Sequence, residues 1–227
     1  KLASERQLIA AQHSSTLKDA FTNWRVLVCA VVNFCAIIGS VGLGLWMPQI
    51  LKGFGFGVVL VGFLAAIPYI CGAVAMILWA RVSDKGGDRS WFVASGLILG
   101  AVSLVVCGLA TSSAVLSIIA LCGTVVGIMC YQSTFWPIPS SFLTGSAAAG
   151  GLALIVSIGN LGGFVGPYLI GSVREATGSF SLALFSVAAF LTLAAILIRV
   201  VGISLQQSKV GFAHGQVRPT SNLSKGV

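Results

Sequence analysis

Six long apolar stretches constrain this chain more than any other feature, and none carries an Asp, Glu, Lys, Arg or His at its middle. They lie at about 24–50, 58–80, 90–110, 114–135, 150–171 and 181–201. A helix rises ~1.5 Å per residue, so about 20 apolar residues cross the ~30 Å hydrocarbon layer of a bilayer. Inside that layer the backbone must satisfy its own hydrogen bonds, and a helix does so within one segment. Only 8% of the residues are charged, where a soluble domain has about 25%. The expected fold is an all-α membrane protein with six transmembrane helices. The net charge of +8 then reports topology and does not mark a nucleic-acid surface.

Polar segments flank the bundle. Residues 1–23 mix Glu5, Arg6, Lys18 and Asp19 with a few leucines and read as a linker with a short surface helix. Residues 202–227 are rich in Ser, Gln and Gly and read as a disordered tail. The first residue is Lys1 and no signal-peptide pattern follows it. The expectation is that the start was removed or that this is a piece of a longer chain.

Six spans put both termini on one side. That side holds Lys1, Arg6, Lys18, Arg25, Arg81, Lys85, Arg89, Arg199, Lys209, Arg218 and Lys225, and the other only Lys52 and Arg174. The positive-inside bias therefore places both termini in the cytoplasm.

Function has to come from neutral polar groups. Candidate pathway residues are Asn33 and Ser40 on the first helix, Tyr69 beside Pro68 on the second, and Gln132, Ser133, Thr134 and Trp136 at the end of the fourth. Ser157 and Asn160 on the fifth complete the set. An amide is costly in lipid, so each such group faces either a cavity or a partner helix, and both readings stand for every candidate. Trp136 opens into Pro137 and Pro139, and unwound backbone is expected there, lining a cavity. The third and sixth helices carry only small hydroxyls and are expected to face lipid.

Gly159, Gly162, Gly163 and Gly166 form overlapping small-xxx-small pairs that let helix backbones approach. The glycine-rich faces of the second and fifth helices are expected to receive helices from another half. Trp46-Met47-Pro48 and Trp136-Pro137 sit at the ends of helices one and four, a weak echo of an inverted three-plus-three repeat.

Other chemistries are poorly served. Cys29, Cys35, Cys71, Cys107, Cys122 and Cys130 all lie in apolar stretches without a C-x-x-C spacing, so no metal site, cofactor or disulfide is expected. An intramembrane serine protease needs a His base within the membrane, and His13 and His214 lie outside all six stretches. No enzyme activity is expected.

The loop from Ala80 to Arg89, ARVSDKGGDR, resembles the loop motif G-x-x-x-D-[RK]-x-G-R-[RK] of the major facilitator superfamily. Asp84, Lys85, Gly87 and Arg89 match it, while Ala80 and Asp88 depart from it. GLWMPQILK, AIPYI, FWPIPSSFLTGSAAAGG and SIGNLGGFVGPYLIG are similar to segments of its anion:cation symporter family, whose members carry organic acids such as tartrate and phthalate.

The resemblance covers nearly all of residues 1–201 and implies the C-terminal six-helix bundle of a twelve-helix transporter. It further implies proton-coupled (or sodium-coupled) import of a small organic anion across the inner membrane, by rocking against an N-terminal six-helix half. Asp84, Lys85, Gly87 and Arg89 would then form a gating loop. Many relatives have Tyr where this chain has Asn33 and Val41, and Asn where it has Val156. Those replacements imply either a different substrate or a copy that no longer transports. A truncated remnant or a stand-alone six-helix protein is the alternative.

Overall fold

The computed structural model describes residues 21–110 and 112–216, apart from the side chains of Ser146 and 208–216. The rest of the expected linker and tail lies outside the described residues, with His13 and Thr111. The described chain is helical almost throughout: α1 (Trp24–Lys52), α2 (Val58–Lys85), α3 (Arg89–Leu109), α4 (Ala114–Phe135), the single turn α5 (Pro137–Ser140), α6 (Gly145–Thr177) and α7 (Phe180–Gln216). Among the described residues, six helices are long and apolar enough to cross a membrane. Even α3, with 21 residues, reaches about 31 Å.

Local chemistry sets the boundaries. Asn23 caps α1 by accepting from the Arg25 N–H at 3.0 Å, Asp88 caps α3 through the Ser90 N–H at 3.0 Å, and Ser113 caps α4. Gly178 closes α6 with φ +69°, donating to the Arg174 carbonyl at 2.7 Å. Only glycine takes that left-handed conformation without strain.

Three expectations need correction. The 80–89 loop is shorter than read, because α2 continues through Lys85. Residues 202–216 are not a coil: α7 runs on to Gln216, and Arg25 holds it by donating to the Ser204 hydroxyl at 2.9 Å. The Pro-punctuated segment after Trp136 is not unwound but restarts as one helical turn. Pro137 opens α5, a position where a missing N–H costs nothing.

Backbones touch at two crossings. On α6, Gly162 and Gly166 lie against α1, and a Cβ on Gly166 would stand 2.5 Å from the Ile38 carbonyl oxygen. Where α3 meets α4, a Cβ on Gly127 would stand 2.5 Å from the Gly96 carbonyl oxygen. Gly159, Gly162 and Gly166 are therefore used inside the bundle by α1, while Gly163 meets only ordinary van der Waals contacts.

The main packing pairs are α1 with α6 and α7, α3 with α4 and α7, and α2 with α4. Exchanging spans one to three with four to six maps span pair 1–5 onto 4–2 and pair 3–4 onto 6–1. That is the contact pattern an inverted repeat produces.

Exposure is uneven. The plain third helix buries Val93, Ala94, Leu97, Ala101 and Leu104 and turns Ile98, Leu99, Val102 and Val105 outward. An apolar outward face of that kind suits lipid. The least covered helices are α2 and α6, which leave Phe63, Ile67, Ile70, Val74, Leu161 and Phe164 open.

Candidate functional site

The nine candidate residues divide by what their side chains touch. Asn33 is buried, 4% exposed. Its Nδ2 donates to the Ile155 carbonyl at 3.2 Å, and its Oδ1 accepts from the Tyr131 hydroxyl at 2.9 Å. One amide thus joins α1, α4 and α6, and in this structure Asn33 is a packing group. Thr134 is also buried, with its hydroxyl donated one turn back to the Cys130 carbonyl at 2.8 Å. Ser133 does the same at 2.9 Å and is half-buried.

Ser40, Tyr69 and Gln132 do come together. With Leu43, Val125, Ile128 and Met129 they line a cavity of about 30 Å3. They arrive from α1, α2 and α4, and Tyr69 and Gln132 remain exposed. Gly44 makes room for the phenol, since a Cβ there would stand 3.2 Å from the Tyr69 oxygen. A hydroxyl, a phenol and an amide at one point offer several donors and acceptors with no net charge. The cavity holds about one water-sized group.

Trp136 is exposed and packs edge-on against Phe135, with ring centroids 5.3 Å apart. Ser157 and Asn160 stand exposed on α6. Gly159, between them in sequence, turns inward against Asn33. The amide of Asn160 therefore faces away from the α1 crossing.

The proposed gating loop lies at the α2–α3 junction. Arg89 donates to Asp84 at 2.8 Å across an open surface. Asp88 does more than the motif comparison conveyed. It caps α3, accepts from the Ser90 hydroxyl at 2.6 Å, and pairs with Arg199 of α7 at 2.8 Å. Arg199 also stacks over Trp91, 4.0 Å from the ring centre. Partial burial alone would raise the Asp88 pKa, but the hydrogen bonds from Ser90 and Arg199 and the Arg199 charge win and hold it below its usual value.

At the opposite end Arg174 donates to Gln49 at 3.1 Å and lies 4.2 Å above the Phe180 ring. There the Trp46 indole donates to the Pro167 carbonyl at 3.0 Å. Sequence reading missed the Asp88–Arg199 and Trp46–Arg174 clusters, because each joins residues more than 100 positions apart. Tyr131 was more accessible to it: it lies seven residues after the buried Thr124, a spacing that returns to the same helix face.

Among the described residues, a bundle of six apolar spans with neutral polar groups on an exposed side defines a multi-pass membrane protein. The sequence profile of the Major Facilitator Superfamily matches residues 3–167, and the chain belongs to that superfamily.

It is 46% identical over 184 residues to the "Putative tartrate transporter" of Agrobacterium vitis, covering 81% of this chain and 41% of that protein. It is 36% identical to the quinolone resistance transporter of Acinetobacter baumannii, covering 90% of this chain and 47% of that protein. The chain thus spans about half the length of the curated relatives it matches, roughly their C-terminal half. A crystal structure of the peptide transporter POT in complex with sulfate superposes with a TM-score of 0.67 at 13% identity, covering 85% of this chain and 44% of that one. That likeness concerns the fold alone.

Proposed function

We propose that this chain is the C-terminal half of a secondary transporter that imports a small organic anion together with protons. The observation that carries the reading is the meeting of Ser40, Tyr69 and Gln132, from three helices, on the open side of an otherwise apolar bundle. These neutral groups suit the hydroxyls of a hydroxy acid. A carboxylate needs a cation, and proton coupling needs a titratable group in the pathway. The described spans hold no Asp, Glu, Lys, Arg or His at mid-depth, so the cation and the proton-carrying group are assigned to an N-terminal six-helix half docked on the exposed faces of α2 and α6. Ser157 and Asn160 then face the same pathway, with Trp136 at its rim.

Rocking of the two halves opens the site to each side in turn, and the Asp84–Arg89 pair latches one of the two states. This reading puts the protein in the inner membrane, and the Lys and Arg distribution supports both ends of this chain lying in the cytoplasm. The name of the tartrate relative supports a dicarboxylic hydroxy acid. The quinolone resistance relative favours a second reading, drug export.

Proteoliposomes of the full-length protein with an imposed inward proton gradient separate the two. Import predicts gradient-driven accumulation of labelled tartrate-class acids, abolished by a protonophore. Accumulation driven by sodium instead would retain the substrate class and change the ion. Absence of organic-acid uptake, with proton-driven movement of a quinolone, would establish export in its place.

A further inference from the structure

A groove between α2, α3 and α4, about 250 Å3 in volume, has no charged or hydroxyl-bearing side chain on its walls. Ala75, Leu78 and Val82 of α2 form one wall, and Leu99 and Val126 lie across from them. Leu78, Val82 and Leu99 are all strongly exposed. The indole N–H of Trp79 is already donated to the Phe92 carbonyl at 3.3 Å, so the groove offers no free hydrogen bond.

The stripe Ala75, Leu78, Val82 advances by three and four residues along one helix face. Its next member is Lys85, about 4.5 Å further along the axis. Arg81 stands three residues after Leu78. Both cations are exposed, and among the described residues neither has an acidic partner. Their neighbours Arg89 and Arg199 are paired with Asp84 and Asp88. A greasy slot thus runs into two uncompensated positive charges where α2 leaves the membrane.

We propose that this groove binds an anionic glycerophospholipid, with one acyl chain between α2, α3 and α4 and the phosphate held by Arg81 and Lys85. Charge complementarity selects the lipid over a protein helix, which would need two acidic residues at that depth. An apolar slot with basic residues at its mouth matches the two parts of the lipid in order. Arg81 has no role in the transport reading, and Lys85 belongs to the gating loop but not to the substrate cavity, so lipid retention is measured on the purified protein with no transport step in the readout.

The test is native mass spectrometry of the detergent-purified protein with dioleoyl phosphatidylglycerol and dioleoyl phosphatidylcholine, which share their acyl chains. The protein is expected to retain the anionic lipid preferentially. Arg81→Gln with Lys85→Gln should lower that affinity by roughly thirtyfold, about a fifth remaining per charge, and leave the zwitterionic lipid little affected. Ala75→Phe, which fills the slot, should weaken both lipids. Equal retention of the two lipids by the unmodified protein would overturn the proposal, as would binding that survives the charge removal. So would a Cys at Val82 that crosslinks to a protein helix in native membranes.

Discussion

The Asn33–Tyr131 clasp makes a prediction that packing and substrate roles answer differently. The amide of Asn33 closes two bonds, to the Ile155 carbonyl at 3.2 Å and from the Tyr131 hydroxyl at 2.9 Å. Both side chains are nearly fully buried. Tyr131→Phe removes one donor and leaves the Asn33 Oδ1 unpaired in an apolar interior. Intramembrane hydrogen bonds average about 0.6 kcal/mol and reach about 1.7, and a stranded buried group raises the loss to about 1–3.

Tyr131→Phe should therefore cost about 1–2 kcal/mol. Asn33→Leu should cost a similar amount, because it strands the Tyr131 hydroxyl. The double variant leaves no unsatisfied side chain at the clasp, so its loss should approach that of one substitution and not the sum. The assay is reversible unfolding in mixed micelles, combined as a double-mutant cycle, with substrate affinity measured on the folded fraction. Additive losses would refute the clasp. Unchanged stability with weakened substrate binding would return Asn33 to the pathway.

Three further outcomes follow from the packing and the charges. Gly166→Ala sets a Cβ 2.5 Å from a backbone oxygen of α1 while Gly163→Ala meets nothing closer than 3.7 Å, so thermal unfolding should show a loss of about 1–3 kcal/mol for the first and little for the second. Asp88 has a lowered pKa, so its contribution is complete above the ordinary carboxylate range and fades as pH falls through the folded value. Asp88→Asn should lower the melting temperature at pH 7, by about 1 kcal/mol of stability, and flatten its dependence on pH below about 4. Gln132→Ala should raise the transport KM about tenfold, as loss of one substrate hydrogen bond of about 1.4 kcal/mol would, with the melting temperature unmoved.

The fold was readable because lipid allows few choices. Charge-free runs of bilayer length had to be helices, and their number and order followed. Caps such as Asp88 and stops such as Gly178 fell within a few residues of the polarity changes. Helix ends were less legible. Polarity alone did not show that α2 would keep winding to Lys85 or that α7 would continue past Gly202, because a tie such as Arg25–Ser204 forms only once the bundle exists.

The site was half legible. Ser40, Tyr69 and Gln132 were singled out by polarity, and the bundle brings them together. Asn33 and Thr134 have the same polarity, and the structure turns them inward to the Tyr131 hydroxyl and the Cys130 carbonyl. Whether an amide in a membrane helix meets a pathway or a neighbour depends on helix rotation, which no single helix encodes when apolar residues surround it. The glycines of α6 show the same limit. Their spacing announced a close approach, but not that α1 would supply the partner.

Passage of substrate along the open side of the bundle is tested most directly by a single Cys at Asn160 in a cysteine-free full-length protein. Asn160 is exposed and turned away from the α1 crossing, so a small membrane-impermeant thiol reagent should reach it without disturbing the fold. Saturating tartrate-class acid should slow that labelling several-fold, while a Cys at Leu99 on the lipid-facing side of α3 stays indifferent to substrate. Labelling at position 160 that no transported substrate alters would contradict the account.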